Sequence, residues 1–294
     1  MENNLTIIIP AYNEEESLKI FLPQLIEFCK TRSFQLVVVN DGSTDNSKNI
    51  ISEISKKYSF VKLINHKVNK GYGGAIKTGI TASQTKYLIT IDSDGQHVLE
   101  DVEKLYKLIL EKDADMIVGS RKGQKEASLF RKLGKNSIRF LVKRLMPLNI
   151  HDINSGMKIY NTKLAKKYIS LCPDSMAYSD IMLLTFIYRK HLVLEEPISI
   201  KPRVAGKSTI SVSTAIETIK EIMNIVVLFN PICIFFPIAF FCILFGILWG
   251  LPFLLLGRGV SNGAIISILS GIIFFTLGLI AEQLSMIRKK DIND

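Results

Sequence analysis

Tyr87-Leu88-Ile89-Thr90-Ile91-Asp92-Ser93-Asp94-Gly95-Gln96 is an apolar, β-branched run that stops at an acidic cluster. Bounded in this way, it reads as a buried strand over Tyr87–Asp92. Four further runs share its character: Leu5–Ile9, Leu36–Asn40, Val61–Asn65 and Met116–Gly119. Between them the apolar spacing becomes helical over Glu14–Lys30, Ser47–Tyr58, Gly74–Ala82 and Leu99–Glu111, with Asp45 and Ser47 as caps for the second helix. Strands and helices that alternate this way predict an α/β domain with a mostly parallel central sheet, covered on both faces. Ligands of such sheets bind beyond the carboxyl ends of the strands. Polar clusters follow three of them: Pro10-Ala11-Tyr12-Asn13-Glu14, Asp41-Gly42-Ser43 and Asp92-Ser93-Asp94-Gly95-Gln96. The three strand ends are expected to converge on one site.

Asp92, Asp94 and Gln96 stand at i, i+2 and i+4, which in an extended segment puts their oxygens on one face. Mg²⁺ and Mn²⁺ favour such hard oxygen ligands and often share substrate phosphates. An acidic pair after a strand is, taken alone, more often a cap or a turn; the matching strand ends favour the metal reading. The run Asn69-Lys70-Gly71-Tyr72-Gly73-Gly74-Ala75 fits neither phosphate-loop pattern, because Ile76 occupies the last glycine position. It is open between a tight helix entrance and a phosphate contact, with Lys70 and Lys77 as candidate anion contacts.

The chain has 294 residues, 37 basic and 27 acidic side chains and 48% hydrophobic residues, which excludes intrinsic disorder. Its charge is uneven. No Asp, Glu, Lys, Arg or His occurs from Ile222 to Gly257 or from Gly259 to Ala281. A bilayer core takes about 20 apolar residues as helix, so transmembrane helices are expected near Ile232–Leu256 and Gly263–Leu284. Pro231 and Pro237 are expected to divide the longer run, and Gly257-Arg258-Gly259 forms the turn. Two such runs in succession leave no polar face for water, which disfavours buried core helices. Lys201, Arg203, Lys207 and Lys220 precede the spans and Arg288-Lys289-Lys290 follow them, so both termini and the N-terminal body are expected on the cytoplasmic side of a cell membrane. The start at Met1 has no basic leader or long apolar stretch of a signal peptide. The four cysteines have no metal-ligand spacing and read as reduced thiols. Ile216, Ile219, Met223 and Val226 oppose Glu217, Lys220 and Glu221, which predicts an amphipathic interfacial helix over Thr209–Phe229. The expected organisation is a body over 1–208, an interfacial helix over 209–230, two spans over 231–287 and a tail over 288–294.

Pro10-x-Tyr12-Asn13-Glu14, Asp41-Gly42-Ser43-x-Asp45, Asn69-x-Gly71-x-Gly73 and Asp92-x-Asp94-x-Gln96 together resemble glycosyltransferase family 2. Gly119-Ser120-Arg121 and Asn154-Ser155-Gly156 extend the resemblance to its polyprenyl-phosphate branch, over roughly Leu5 to Ser208. The resemblance implies a GT-A-type nucleotide-sugar-binding fold and a transferase acting on a polyprenyl phosphate, undecaprenyl or dolichyl. It implies that Pro10, Tyr12, Glu14, Val39, Asp41 and Ser93 bind the nucleotide sugar, and that Asp92, Asp94 and Gln96 hold Mg²⁺ or Mn²⁺ against its diphosphate. Arg121 is expected to contact phosphate, since a guanidinium fork suits it. Asp180 lies where related enzymes carry an acidic base, and Asp152 is a weaker candidate for a sugar hydroxyl.

Lys122–Ile150 holds eight basic residues and one acid, Glu126, interleaved with Leu129, Phe130, Leu133 and others. Nucleic acid is one reading of such a patch. A membrane surface fits the apolar interleaving better, so no nucleic-acid partner is expected. Arg131, Arg203 and Lys207 are the candidate acceptor-phosphate residues. A processive polysaccharide synthase of the same family would carry Gln-x-x-Arg-Trp, but the only tryptophan, Trp249, lies in the first span. The intact Asp92, Asp94 and Gln96 set argues against a non-catalytic nucleotide-sugar sensor. Gly271, Gly278, Ser267 and Ser270 put small residues on the second span, compatible with a homo-oligomer or with packing inside one chain.

Overall fold

A computed structural model of the chain describes residues 4–121, 150–153, 155–201 and 231–290. The chain divides into two compact units, 1–132 with 148–210 and 133–147 with 211–294.

The first unit is an α/β domain with a seven-stranded sheet in the order β3-β2-β1-β4-β6-β5-β7. The chain runs β1 (Leu5–Ala11), α1 (Glu15–Arg32), β2 (Gln35–Asn40), α2 (Ser47–Lys57), β3 (Val61–Asn65), α3 (Tyr72–Ala82), β4 (Tyr87–Thr90), α4 (Leu99–Lys112) and β5 (Met116–Ser120). It continues through β6 (Lys158–Asn161), α5 (Thr162–Tyr168), α6 (Tyr178–Tyr188) and β7 (Val193–Pro197). β1 pairs in parallel with β2 and β4, β2 with β3, and β5 with β7. β1 is buried along its whole length, as its unbroken apolar run requires of a central strand. α4 instead buries Val102, Leu105 and Ile109 and turns its charges to water. Leu18, Leu22 and Leu25 of α1 pack with Ile7, Ile9, Leu36, Val38 and Ile89 in one apolar cluster. Each such fully buried side chain contributes roughly 1.5–3 kcal/mol.

Besides β7, α5 and α6, which the sequence reading did not include, two departures from it shape the site. The strand expected over Tyr87–Asp92 ends at Thr90, and 92–96 form a turn around Gly95, whose φ is 72°. The second is β6, which the sequence reading did not include. It lies antiparallel between β4 and β5, with Lys158 opposite both Thr90 and Val118. An antiparallel strand delivers the segment that precedes it to the edge where its parallel neighbours end. Residues 151–153 and 155–157 therefore join the loops after β4 and β5.

The second unit contains α7 (Ile232–Leu255) and α8 (Asn262–Lys290), linked through Gly257 and Gly259 at φ 68° and 77°. Both are long and apolar enough to cross a membrane. At 1.5 Å per residue even the shorter spans roughly 36 Å, more than the hydrocarbon core. Pro231 precedes the first residue of α7, while Pro237, expected to divide the run, lies inside the helix with Pro252. Apolar side chains such as Phe240, Leu248 and Ile273 face outward. The small residues face inward: a Cβ on Gly271 would stand 2.5 Å from Ile243 and one on Gly278 2.8 Å from Phe235. Ser267 Oγ donates to the Cys242 carbonyl at 2.8 Å. These residues close the hairpin within one chain, so they give no support to the homo-oligomer. The interfacial helix expected over 209–230 lies outside the described residues.

Candidate active site

On the first side of the site the loops after β1 and β2 are sewn together. Pro10 pairs with Val39 in the ladder, both buried beneath the loops. Asn13, at φ 52°, donates its N–H to Ser43 Oγ at 3.0 Å, and its Oδ1 accepts the Thr44 N–H at 2.8 Å. Asp45 accepts the Glu15 N–H with one oxygen and the Ser47 N–H with the other, both at 3.0 Å. One carboxylate thus meets the first free N–H of α1 and of α2, where the helix dipole favours negative charge. Tyr12 is 47% exposed and Glu14 half-buried, its carboxylate accepting from Ser17 Oγ. Asp41, expected to bind the nucleotide, is buried and fastens the next loop. Its carboxylate accepts the Lys70 and Gly71 N–H groups at 2.9 and 2.8 Å and meets His66 Nδ1 at 2.6 Å.

The glycine run is a helix entrance. Gly71, at φ 87°, precedes α3, and Asp174 O accepts the Gly74 N–H at 3.2 Å. A Cβ on Gly73 would stand 2.4 Å from Pro173 O, so the segment before α6 can lie over α3 only if this position is glycine. Lys77 pairs with Asp174 at 2.6 Å and donates to Cys172 O at 2.9 Å, so its side chain is committed inside the protein and not to an anion.

The second side carries the charges. Asp92 Oδ1 accepts from Tyr72 OH at 3.2 Å, and Gly156 lies so close that a Cβ there would stand 2.6 Å from Asp92 Oδ2. Asp94 and Ser93 are buried, and Asp94 Oδ1 accepts the Gln96 N–H at 3.1 Å across the turn. Gln96 directs its amide to Lys201 O at 3.4 Å. The segment turns at Gly95, so the extended backbone assumed for Asp92, Asp94 and Gln96 is not the one present. Among the described residues no group of three or more His, Cys, Asp or Glu side chains closes round one point. Asp92 and Asp94 nevertheless fit a hard cation of the Mg²⁺ kind, which takes one or two carboxylates and fills its shell with water and substrate phosphate.

Arg121 follows β5 and grips Asp152 with two parallel bonds, Nε to Oδ2 at 2.6 Å and Nη2 to Oδ1 at 2.7 Å. Its own N–H reaches the same Oδ2 at 3.0 Å. Asp152 is therefore the partner of the arginine in this structure. The Asp152 bond raises the guanidinium's pKa against burial, and Asp92 and Asp180 raise it further. This coupling brings Asp92, Arg121 and Asp180, separate in sequence, into one electrostatic group. Asp180 is buried in the first turn of α6. Sequence reasoning missed Tyr72 and Lys158. Burial, followed by the Asp92 charge, holds the Tyr72 phenol well above its usual range, so it stays a donor. Lys158 is fully buried beside the same carboxylates. Its only sequence signal was a lysine at the head of a short β-prone run. Burial pushes the Cys29 and Cys172 thiols up to about 12, in keeping with inert thiols. Arg131, Arg203, Lys207 and Asn154 lie outside the described residues.

Residues 6–169 match the family described as glycosyl transferase family 2. The chain belongs to glycosyltransferase family 2. Residues 230–287 match a second family, the GtrB C-terminal hairpin. An uncharacterised protein of Methanocaldococcus jannaschii is 34% identical over 57% of this chain and 69% of its own. A dolichyl-phosphate beta-glucosyltransferase of Dictyostelium discoideum is 26% identical over 75% of this chain and 73% of its own. An undecaprenyl-phosphate 4-deoxy-4-formamido-L-arabinose transferase of Photorhabdus laumondii is 29% identical over 62% of this chain, which spans 56% of that protein. Among solved structures, glucosyl-3-phosphoglycerate synthase from Mycobacterium tuberculosis, in complex with Mn²⁺, UDP and phosphoglyceric acid, superimposes with a TM-score of 0.59. It is 15% identical, over 76% of this chain and 78% of its own, a likeness of fold. The GT-A-type fold of this family member is thereby shown together with its mostly parallel sheet.

Proposed function

We propose that this glycosyltransferase moves a hexose from a nucleotide sugar, UDP-glucose or GDP-mannose, to a polyprenyl phosphate, with inversion at the anomeric carbon. The observation that carries the reading is the meeting of Asp92 after β4, the Arg121–Asp152 pair after β5 and the first turn of α6, which bears Asp180, in a chain that also has a two-helix apolar hairpin. The named activities of the dolichyl- and undecaprenyl-phosphate relatives support the acceptor class. An apolar hairpin suits an enzyme whose acceptor is a lipid, and basic residues flanking both spans favour cytoplasmic termini.

The mechanism follows from the acceptor. A phosphate monoester has a second pKa of about 6, so it arrives mostly as the dianion and needs positioning more than a base. Its oxygen attacks the anomeric carbon in line, the bond to the nucleoside diphosphate breaks, and the diphosphate leaves with the electron pair. Asp92 and Asp94 would hold Mg²⁺ or Mn²⁺, which when bound offsets charge on the leaving diphosphate. Arg121 exchanges part of its grip on Asp152 for a phosphate oxygen, a trade between two bidentate anionic partners. Asp180 orients acceptor or sugar. Tyr12, open at the surface, and half-buried Glu14 meet the base and ribose, while Pro10, Val39 and Asp41 support them from below.

The test is a donor panel on the full chain in detergent with Mg²⁺ and a short polyprenyl phosphate, reading labelled lipid. UDP-glucose, UDP-galactose, UDP-N-acetylglucosamine and GDP-mannose are compared. Metal-dependent transfer from UDP-glucose or GDP-mannose is expected. A protein that binds nucleotide tightly and transfers from none of the four refutes the reading.

A further inference from the structure

Lys158, the first residue of β6, has no exposed surface. A buried ammonium is costly unless acceptors surround it. Its three N–H donors meet Ile153 O at 2.7 Å, Ser179 O at 2.9 Å and Ser179 Oγ. A neutral amine has two N–H groups and would leave one of these acceptors unmatched, so the cage is shaped for the charged form. Burial draws its pKa down to about 8, against Asp180, Asp152 and Asp92, whose charges raise it.

The acceptors belong to two segments. Ile153 follows Asp152, the partner of Arg121, and Ser179 precedes Asp180 in the first turn of α6. Ser179 Oγ in turn donates to Ser155 O at 2.9 Å, tying the two segments a second time. The next residue, Gly156, presses on the Asp92 carboxylate and accepts from Thr90 Oγ1 at 2.8 Å. One ammonium therefore joins the neighbour of Asp152, the neighbour of Asp180 and the segment that confines Asp92. The three groups come from β6's leading loop, α6 and the β4 turn; the β4–β6 ladder joins the first and last, and among the described residues no backbone ladder ties α6 to either.

We propose that Lys158 is the positioning residue of this site: by bridging 153–156 to the start of α6 it holds Asp180, Asp92 and the Arg121–Asp152 pair in mutual register. It acts through these groups and is not itself a catalytic residue. The activity arm of its test rests on the glycosyl-transfer reading, and the exchange arm does not.

Lys158→Met, Lys158→Arg and Ser179→Ala are made in the full chain in detergent, with thermal midpoint and folded fraction measured for each. Misplacing a reacting group by about 1 Å costs on the order of 100-fold. Lys158→Met is accordingly expected to lower kcat per folded molecule about 100-fold with donor KM within about threefold, and Ser179→Ala about 10-fold. Lys158→Arg restores the charge but not the three-way cage from one nitrogen, and is expected between Met and wild type. Amide hydrogen exchange of Ser179→Ala is expected to quicken at 153–156 and 178–181, with β1 and β2 unchanged. A kcat within threefold of wild type per folded molecule in Lys158→Met overturns the proposal, because the lysine then serves stability alone. Should Lys158→Met not fold, Lys158→Arg and Ser179→Ala decide by the same criterion, with wild-type kcat in both overturning it. Unchanged exchange at both segments in Ser179→Ala also overturns it. A wild-type chain without transfer sinks the functional reading instead, and the exchange measurement still decides the positioning.

Discussion

The loops after β1 and β2 and the groups around β4, β5 and β6 share one edge of one sheet, yet they use polar side chains in opposite ways. In the first region, Asn13, Asp41 and Asp45 each accept backbone N–H groups from another loop or helix start. In the second, Asp92, Arg121, Asp152, Lys158 and Asp180 act on one another as charges. The first arrangement builds a fixed cradle from hydrogen bonds that water could otherwise satisfy. The second concentrates opposed charges in low dielectric, where each interaction is strong and a substrate's phosphates can redistribute it. Motif residues in one strip of sequence therefore differ in kind: some hold loops together through backbone N–H groups, and others face one another as charges.

Substitutions can break this division if it is wrong. The largest effect is expected at Asp94→Ala: turnover of the nucleotide sugar falls about 1,000-fold, the scale of losing one charge-stabilising group, while the thermal midpoint moves by only a few degrees. An unfolded variant would erase the contrast between the regions. Asp41→Ala should do the reverse. It strips the acceptor from the Lys70 N–H and from buried His66, while the Gly71 N–H keeps Asn69 Oδ1. At about 1–3 kcal/mol for a buried group left without its partner, stability should fall by about 2 kcal/mol, read by chemical denaturation.

The difference between the regions also explains what the sequence made legible. Strand runs such as Ile7–Ile9 and Val37–Val39 are apolar enough to be read directly, and they set the edge on which the site lies. The apolar hairpin is equally plain, since only Arg258 interrupts the uncharged run from Ile222 to Ala281. β6 was invisible because Lys158-Ile159-Tyr160-Asn161 is four residues long and begins with a lysine, a residue that enters a core only when long-range partners meet it. Those partners, Ile153 and Ser179, belong to other segments, and no local pattern shows them. The mutual orientation of Asp92, Asp94 and Gln96 was hidden for a related reason: the argument from i, i+2 and i+4 assumed extended backbone, and Gly95 turns it.

Asp180→Asn sharpens the comparison within the charged region. A phosphate acceptor needs no general base, so the loss is expected to stay under tenfold, about 1.4 kcal/mol, in initial-rate transfer. Complete loss would make Asp180 the base and would set it apart from the orienting groups around it.

The smallest effect is expected at Glu195→Gln, where the two strategies meet. Glu195 of β7 accepts the His151 and Asp152 N–H groups at 2.9 and 2.8 Å, cradle-like bonds that aim Asp152 at Arg121. Burial raises its pKa, but hydrogen bonds, including those from the two backbone N–H groups, outweigh that and hold the carboxyl below its usual range. A carboxyl whose folded pKa is depressed adds stability that is complete above the unfolded value, about 4.3, and is lost as pH falls through the folded value. Glutamine has one acceptor oxygen in place of two, so the variant should be less stable near pH 7 by about 1 kcal/mol. Thermal midpoints of both proteins, taken from about pH 7 down to about pH 2.5, should then keep their gap to about pH 4.3 and converge below it, where wild-type Glu195 takes up its proton. A gap that stays constant across that range would mean that Glu195 works by shape alone. The corner holding Arg121 would then belong with the hydrogen-bonded cradle and not with the charges.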